Sequence, residues 1–461
     1  MDTHHQPPLK IAIVGAGFSG TALTAHLQQG ANRPIDVYLF EKTGDFGRGA
    51  AYRTPYYFHL LNVPVEEMSA LEGAPKHFLT WLNSYLTTTY QTRIMSHQQP
   101  LAEQYVPRFL YGHYLQSLLK EIQAHTSKIR LHLEAAEVIA LHPQNNRILL
   151  SLRDGRQIDA DKVVLALGNH APPSLPFPIP STINAIHNGW HYNAVEWIPP
   201  DEAVLILGTG LSMVDTVLSL YHQQHRGKIY AVSRRGLLPL PHAQKKISAI
   251  TLKVGPCSLR HLLKSIRHLC TSLQITNGDW RSVIASLRTS SSLRWTQGSL
   301  EDKQRFLRHL LPYWNIHRHR VPNQISALLR KLLAKTQLQL IAGRLIGLEN
   351  SNALIKVRST QQIQTVSIKW IINCMGPSTQ WTATQTPLIH FLLTHNLAKL
   401  DALKLGLSTD ASGAIKNSLD QPSSLIYALG PLRKGSLFES SAVPEIRQQC
   451  FNLAHTLMAN I

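Results

Sequence analysis

Two short stretches carry glycines at a spacing that can seat a phosphate. One spans Gly15, Gly17, Ser19 and Gly20, the other Gly208, Gly210, Ser212 and Met213. In each, an apolar run enters the first glycine and helical spacing begins after the second. Gly15 and Gly208 permit a tight turn, Gly17 and Gly210 let a pyrophosphate approach the backbone, and Gly20 allows a helix to lie close to its strand. The helix start behind each turn offers unsatisfied N–H groups and a positive dipole end to an anion, with Ser19 and Ser212 in that first turn. Met213 stands where the second turn lacks its third glycine, and should push its helix slightly off the strand.

The strand that follows each turn ends differently. Glu41 lies 21 residues after Gly20, placed to accept hydrogen bonds from a ribose diol. A carboxylate there repels a 2′-phosphate, so this turn suits FAD or NAD. The second strand ends in Ser233, Arg234 and Arg235. Two guanidiniums suit the 2′-phosphate of NADPH, unless they are merely solvated.

Other chemistries lack their residues. The 24 histidines form no set with cysteines or carboxylates at ligand spacing, and no metal is expected. Cys257, Cys270, Cys374 and Cys450 include no C-x-x-C pair, which argues against disulfides, zinc and a disulfide-reductase centre. No G-x-S-x-G is present, so hydrolysis is not expected. The N-terminus has no apolar leader and no window reaches a membrane span, so a cytoplasmic protein is expected. Between His242 and Leu340, 17 lysines and arginines face three acids. With no nucleic-acid motif beside it, that charge reads as a helical insertion with a solvated basic face, lining an entrance for anionic ligands.

The elements that must position the glycines follow from periodicity. Residues 9–41 read as strand, turn, helix, strand and terminal acid, one βαβ unit. Residues 42–135 read as loops and helices, and "KVVLALGNHAPPSLPFP" as a buried strand, a glycine and a proline-rich boundary. The pattern restarts at Ala203, with a strand over 203–207, a helix to about His225 and a strand to Ser233. Strands and hairpins follow the basic insertion, then a lone apolar strand in "SLIYALGP" and a C-terminal helix. The fold class is therefore α/β, with two Rossmann-like dinucleotide-binding domains and a helical insertion. Residues 1–175 and 381–461 would form an FAD domain. Residues 176–380 would form an inserted NADPH domain carrying the insertion at about 240–340.

This order resembles the two-dinucleotide-binding-domain flavoproteins. "EKTGDFGRGAAY", "FHLLNVPVEEMSA", "VPRFLYGHYL", "GTGLSMVD", "SRRG" and "ALGPLRKGSLFESSAVPEIRQQ" are similar to the FAD/NAD(P)-binding proteins of the NAD-binding 9 type. Those are relatives of flavin-dependent N-hydroxylating and Baeyer–Villiger monooxygenases. The resemblance implies an FAD-dependent, NADPH-using oxidoreductase, a monooxygenase acting on a small molecule with dioxygen. A reductase or oxidase without oxygenation, or a non-catalytic FAD-binding interaction protein, remain alternatives. Gly168 and Gly376 lie in junctions resembling those of flavin monooxygenases, with Leu167 and Met375 where threonine is usual. Gly47, Gly49 and Ala50 would let a loop pass close to FAD. Asn62 resembles the asparagine beside the flavin's reactive edge, where a neutral amide can hydrogen-bond oxygen or nicotinamide; otherwise it is a turn residue before Pro64. Met68 and Ser69 would line that pocket or the core. Arg108 would contact a flavin phosphate or cap a helix. Gly430 turns the last strand, and the N–H groups of Ala442 and Val443, ahead of Pro444 at a first helical position, would face the flavin's pyrimidine end. Glu439 reads as substrate-facing or as a helix-start acid with no partner.

Overall fold

The computed structural model describes residues 7–89, 99–126, 128–244, 247, 249–250, 258–378 and 386–459. The chain divides into two compact units, residues 1–170 with 379–461, and residues 171–378. The first unit opens with β1 (Leu9–Val14), α1 (Phe18–Gly30) and β2 (Ile35–Phe40). Helices α2 (His77–Thr89) and α3 (Arg108–Ala124) follow, with Phe78, Tyr111 and Tyr114 fully buried between them. A third parallel strand, β3 (Ile129–Glu134), pairs with β2. The reading of 42–135 as loops and helices is therefore incomplete, because "IRLHLE" is a sheet-edge strand with only three large aliphatic residues. Strands β4 (Val138–Gln144), β5 (Arg147–Leu152) and β6 (Gln157–Ala160) form an antiparallel meander, and β7 (Lys162–Leu165) returns beside β1.

The second unit contains β8 (Asn184–Ile186), β9 (Val204–Leu207), α4 (Leu211–His222) and β10 (Ile229–Ser233). Its helical insertion runs through α5 (Leu259–Ile275), α6 (Arg281–Gln297), the successive pieces Leu300–Arg305, Phe306–Leu310 and Leu311–Arg318, and α7 (Asn323–Ala334). Strands β11 (Leu338–Glu349), β12 (Asn352–Val357), β13 (Ile363–Ser367) and β14 (Trp370–Asn373) complete a sheet of order β13-β12-β11-β10-β9-β14-β8. The piece Phe306–Leu310 is a π turn, in which the Leu311 N–H reaches back to the Phe306 carbonyl. Pro312 causes it: proline has no N–H for the Arg308 carbonyl four residues back, and its ring crowds that carbonyl.

The chain then returns to the first unit as α8 (Pro387–Thr394), β15 (Ala414–Lys416), β16 (Pro422–Ala428) and α9 (Val443–Ala459). The last apolar strand is not alone: β16 pairs in parallel with β7 and antiparallel with the three-residue β15, too short to leave a sequence period. The resulting order is β15-β16-β7-β1-β2-β3. Its centre is covered on both faces. Leu9, Ile11 and Ile13 of β1 join a cluster with α1, α3 and α9, while Ala12 and Val14 face the meander and α8. That two-sided burial is why β1 reads as a near-continuous apolar run. Among the described residues no helix is long and apolar enough to cross a membrane.

Candidate functional site

In the first unit, Gly15 has φ of +108°, and a Cβ there would lie 2.4 Å from the Ala166 carbonyl oxygen. A Cβ on Gly20 would lie 2.0 Å from the Gly15 oxygen, so no larger residue fits the turn. Gly17 caps α1, and its missing side chain faces the Gly49 Cα at 3.4 Å. Glu41 reaches back to the turn: its Oε2 accepts from the Ala16 N–H at 3.3 Å, and Oε1 accepts from the Thr43 N–H and hydroxyl. A carboxylate offers about four lone-pair directions, so acceptor capacity remains on this half-buried group.

The loop beyond Glu41 is pinned by a cluster that residue spacing did not reveal. Asp45 accepts from Arg48 at 2.7 Å and Arg53 at 2.8 Å, and Arg53 also donates to the Thr43 hydroxyl. Gly47 donates its N–H to the Ala16 carbonyl at 2.7 Å and has φ of +89°. Its missing Cβ would meet Gln116 of α3 at 3.2 Å, so this glycine makes room for α3. Gly49, with φ of +54°, faces Gly17 instead. Ala50 is exposed.

Asn62 sits half-buried in a turn held on both sides, by Leu61 N–H to the Val106 carbonyl and Val65 N–H to the Gln104 carbonyl. A bridge between Leu60 and Pro107 joins that turn to the start of α3, where the Arg108 N–H donates to the His59 carbonyl. Burial pushes the Tyr52 phenol up, and the Arg108 guanidinium opposes that shift. Met68 and Ser69 are both buried. Met68 is in the core, and the buried Ser69 hydroxyl binds the Leu71 and Ala74 carbonyls.

The C-terminal segment closes on α1. Gly430 has φ of +63°; a Cβ there would lie 3.0 Å from the Ser19 hydroxyl, and its N–H donates to Gln449 Oε1. Helix α9 begins at Val443, with the Ala442 carbonyl accepting from Ile446, so Pro444 is the second helical residue and not the first. Glu439 is buried and faces Lys434, so it is not a helix-start acid without a partner. Arg433, also buried, donates to the Asp410 and Ala411 carbonyls, and burial lowers its pKa to about 10. Gly168, with φ of +71°, would hold a Cβ in open space, as would Gly376 in the second unit.

The second turn repeats the first. Gly208 also has φ of +108°, and its missing Cβ would lie 2.5 Å from the Cys374 carbonyl oxygen. Gly210 is exposed, with no heavy atom within 4 Å of where a Cβ would be. Ser212 is half-buried, and Met213 is fully buried on the core face of α4. The turn is tied to its strand end: the Thr209 hydroxyl meets the Ser233 hydroxyl at 2.8 Å and donates to the Leu237 carbonyl, while Ser233 accepts the Gly236 N–H. Arg234 is exposed. Arg235, half-buried, donates to the Arg308 and His309 carbonyls on the π turn and lies 5.5 Å from the Tyr313 ring centroid. Both arginines open onto a cleft of about 490 Å³ that Arg308, Arg344, Lys356 and Arg358 also line. The cysteines are poor nucleophiles: burial pushes Cys374 up to about 12 and raises Cys450 further, and Cys257 lies outside the described residues.

Comparison with known proteins agrees with this arrangement. Residues 12–170 match the family model described as FAD-NAD(P)-binding. No curated protein matches the sequence. Among solved structures, the Kutzneria sp. 744 ornithine N-hydroxylase is similar, with TM-score 0.67 and 13% identity over 98% of this chain and 99% of that one. The cadaverine monooxygenase of the desferrioxamine pathway from Erwinia amylovora has TM-score 0.66 and 10% identity over 98% of this chain and 95% of that one. The bacillithiol disulfide reductase of Staphylococcus aureus is similar at TM-score 0.56 and 11% identity, covering 98% and 99%. The chain has the fold of the two-dinucleotide-binding-domain flavoproteins.

Proposed function

We propose that this chain is an FAD-dependent, NADPH-using monooxygenase of the cytoplasm that hydroxylates a small molecule with dioxygen. The observation that carries the reading is the contrast between two matching turns, one backed by the Glu41 carboxylate and the other by Arg234 and Arg235. FAD would be held by Gly15, Gly17, Ser19, Gly20, Glu41, Gly49, Arg108, Gly168, Gly430 and the N–H groups of Ala442 and Val443. NADPH would be held by Gly208, Gly210, Ser212, Gly376, Arg234 and Arg235. The residues fit these groups: Gly210 leaves the backbone open to a pyrophosphate, and Glu41 keeps lone pairs for ribose hydroxyls. Bound flavin supplies hydride acceptance from NADPH and activation of dioxygen.

The chain's own residues do the rest. The start of α1 orients N–H groups towards a phosphate, and Gly17 keeps that approach clear. Arg234 and Arg235 bind the 2′-phosphate and so favour NADPH over NADH, which lacks that group. The Asn62 amide hydrogen-bonds the reacting oxygen without releasing a proton. The relatives named for ornithine and cadaverine make primary amines the first substrates to assay.

The test is anaerobic titration of the purified yellow protein with NADPH and NADH, followed by readmission of oxygen in the presence of amines. Preference for NADPH and an oxygenated amine are expected. Absence of bound flavin would overturn the reading, and rapid dye reduction with no oxygenated product would make the chain a reductase. Arg234→Ala and Arg235→Ala should each raise KM for NADPH about tenfold while leaving NADH unaffected, as loss of a charged hydrogen bond requires.

A further inference from the structure

The cleft beside the second turn holds more positive charge than one ribose phosphate can neutralise. Arg234, Arg235, Arg308, Arg344, Lys356 and Arg358 line it, and no acidic side chain does. None of the six forms an ion pair among the described residues. Nearby arginines behave otherwise: Arg305, one helical turn before Arg308, pairs with Glu301 at 2.6 Å and with Asp302. A phosphomonoester carries at most about two negative charges. Four cations would remain uncompensated with Arg234 and Arg235 satisfied.

Three features keep that charge in place at a cost to the fold. The antiparallel register of β11 and β12 sets Arg344 directly opposite Lys356, and like charges across a strand pair are destabilising. Arg358, in the turn just past β12, donates its N–H to the Ala342 carbonyl and its guanidinium to the Arg234 carbonyl at 3.3 Å. Pro312 removes the helical partner of the Arg308 carbonyl, and Arg235 takes up that carbonyl, drawing the π turn to the strand end. The Arg235 Nε is buried without a hydrogen-bond partner. Between β11 and β12 the floor is tight, since a Cβ on Gly343 would lie 2.7 Å from the Lys356 carbonyl oxygen. Arginines tethered through backbone carbonyls keep their remaining N–H groups for oxygen acceptors of a ligand.

We propose that this cleft is a site for a short chain of linked phosphates, of the inorganic tripolyphosphate class, reaching from Arg344 and Lys356 to Arg234 and Arg235. The overlap with the ribose-phosphate position rests on the NADPH reading above; binding of the phosphate chain does not. Where the two overlap, polyphosphate and NADPH exclude each other, and the protein's reduction rate becomes sensitive to the supply of phosphate anions.

The experiment is calorimetric titration of the holoprotein with sodium tripolyphosphate, on wild type, on the Arg344→Gln/Lys356→Gln double variant and on Arg305→Gln. Saturable one-to-one binding is expected for wild type and Arg305→Gln, and binding at least about tenfold weaker for the double variant. Relief of a like-charge pair should leave the double variant's melting temperature equal or higher, which separates lost binding from lost folding. Absent binding in wild type, equal binding in the double variant, or full reversal by sodium chloride at matched ionic strength would each overturn the site. An oligonucleotide that binds more tightly per phosphate would also overturn it, by assigning the cleft to nucleic acid. In steady state, tripolyphosphate should raise KM for NADPH without lowering kcat; a fall in kcat alone would overturn the overlap. Wild-type reduction by NADPH with no tripolyphosphate binding defeats this site alone. Tripolyphosphate binding without NADPH reduction defeats the cofactor reading alone.

Discussion

Gly20 and Met213 fill the same helix position in opposite ways, and each should resist exchange. A methyl on Gly20 would collide with the Gly15 carbonyl at 2.0 Å, against backbone that cannot swing aside. Gly20→Ala should therefore cost roughly 1–3 kcal/mol and release bound flavin, read by denaturant titration and by absorbance after gel filtration. Met213 is fully buried. Met213→Ala should destabilise by about 2–5 kcal/mol, measured the same way, because it opens a cavity and repairs nothing in the turn. Glu41→Gln keeps an acceptor but loses the charge that helps hold the turn; flavin affinity should fall about tenfold by equilibrium dialysis, and Glu41→Arg should abolish it.

At the scale of elements, α1 and α9 meet at His26, whose two ring nitrogens are buried without a hydrogen-bond partner among the described residues. Its ring meets Phe451 edge-on, and burial lowers its pKa to about 4, with Glu72 pulling the other way. The unfolded chain takes up a proton near pH 6.5 while the folded chain stays neutral, so stability is full above that pH. It is lost as pH falls from 6.5 towards 4, by about 3 kcal/mol in total. Urea midpoints at pH 7.5 and 5 should show the loss, and His26→Gln should flatten it. The βαβ unit of residues 9–41 was legible because local rules agree there: an apolar run, glycines whose missing side chains face backbone, and an acid at the strand end. Strands β3 and β15 were not, since an edge strand with few apolar residues and a three-residue strand leave no period. The cationic cleft was legible only in part. Arg234 and Arg235 are adjacent in sequence, but Arg308, Arg344, Lys356 and Arg358 join them through strand register and a proline-driven π turn. The neighbour that makes Gly47 a glycine was hidden for a similar reason: it is α3, far along the chain.

For the whole molecule, a formal charge of +19 with unpaired cations in the second unit makes stability depend on salt. Raising sodium chloride from about 50 to 300 mM should raise the melting temperature by screening that repulsion, and a fall would contradict it. NADP+ at about 100 times its Kd should add about 2.7 kcal/mol, and NAD+ at that same concentration should add less. The two units share more than a glycine pattern. In both, the parallel strands run in one order, β7-β1-β2-β3 and β14-β9-β10-β11. In both, the first glycine turns at the same φ against the carbonyl just beyond the returning strand, Ala166 in one and Cys374 in the other. Two halves built to one pattern hold their turn and strand order as fixed parts. They part at the tips of their second strands, an acid at Glu41 in one and a pair of arginines at Arg234 and Arg235 in the other. If nucleotide choice follows those tips, a single exchange there would re-assign a half without rebuilding it.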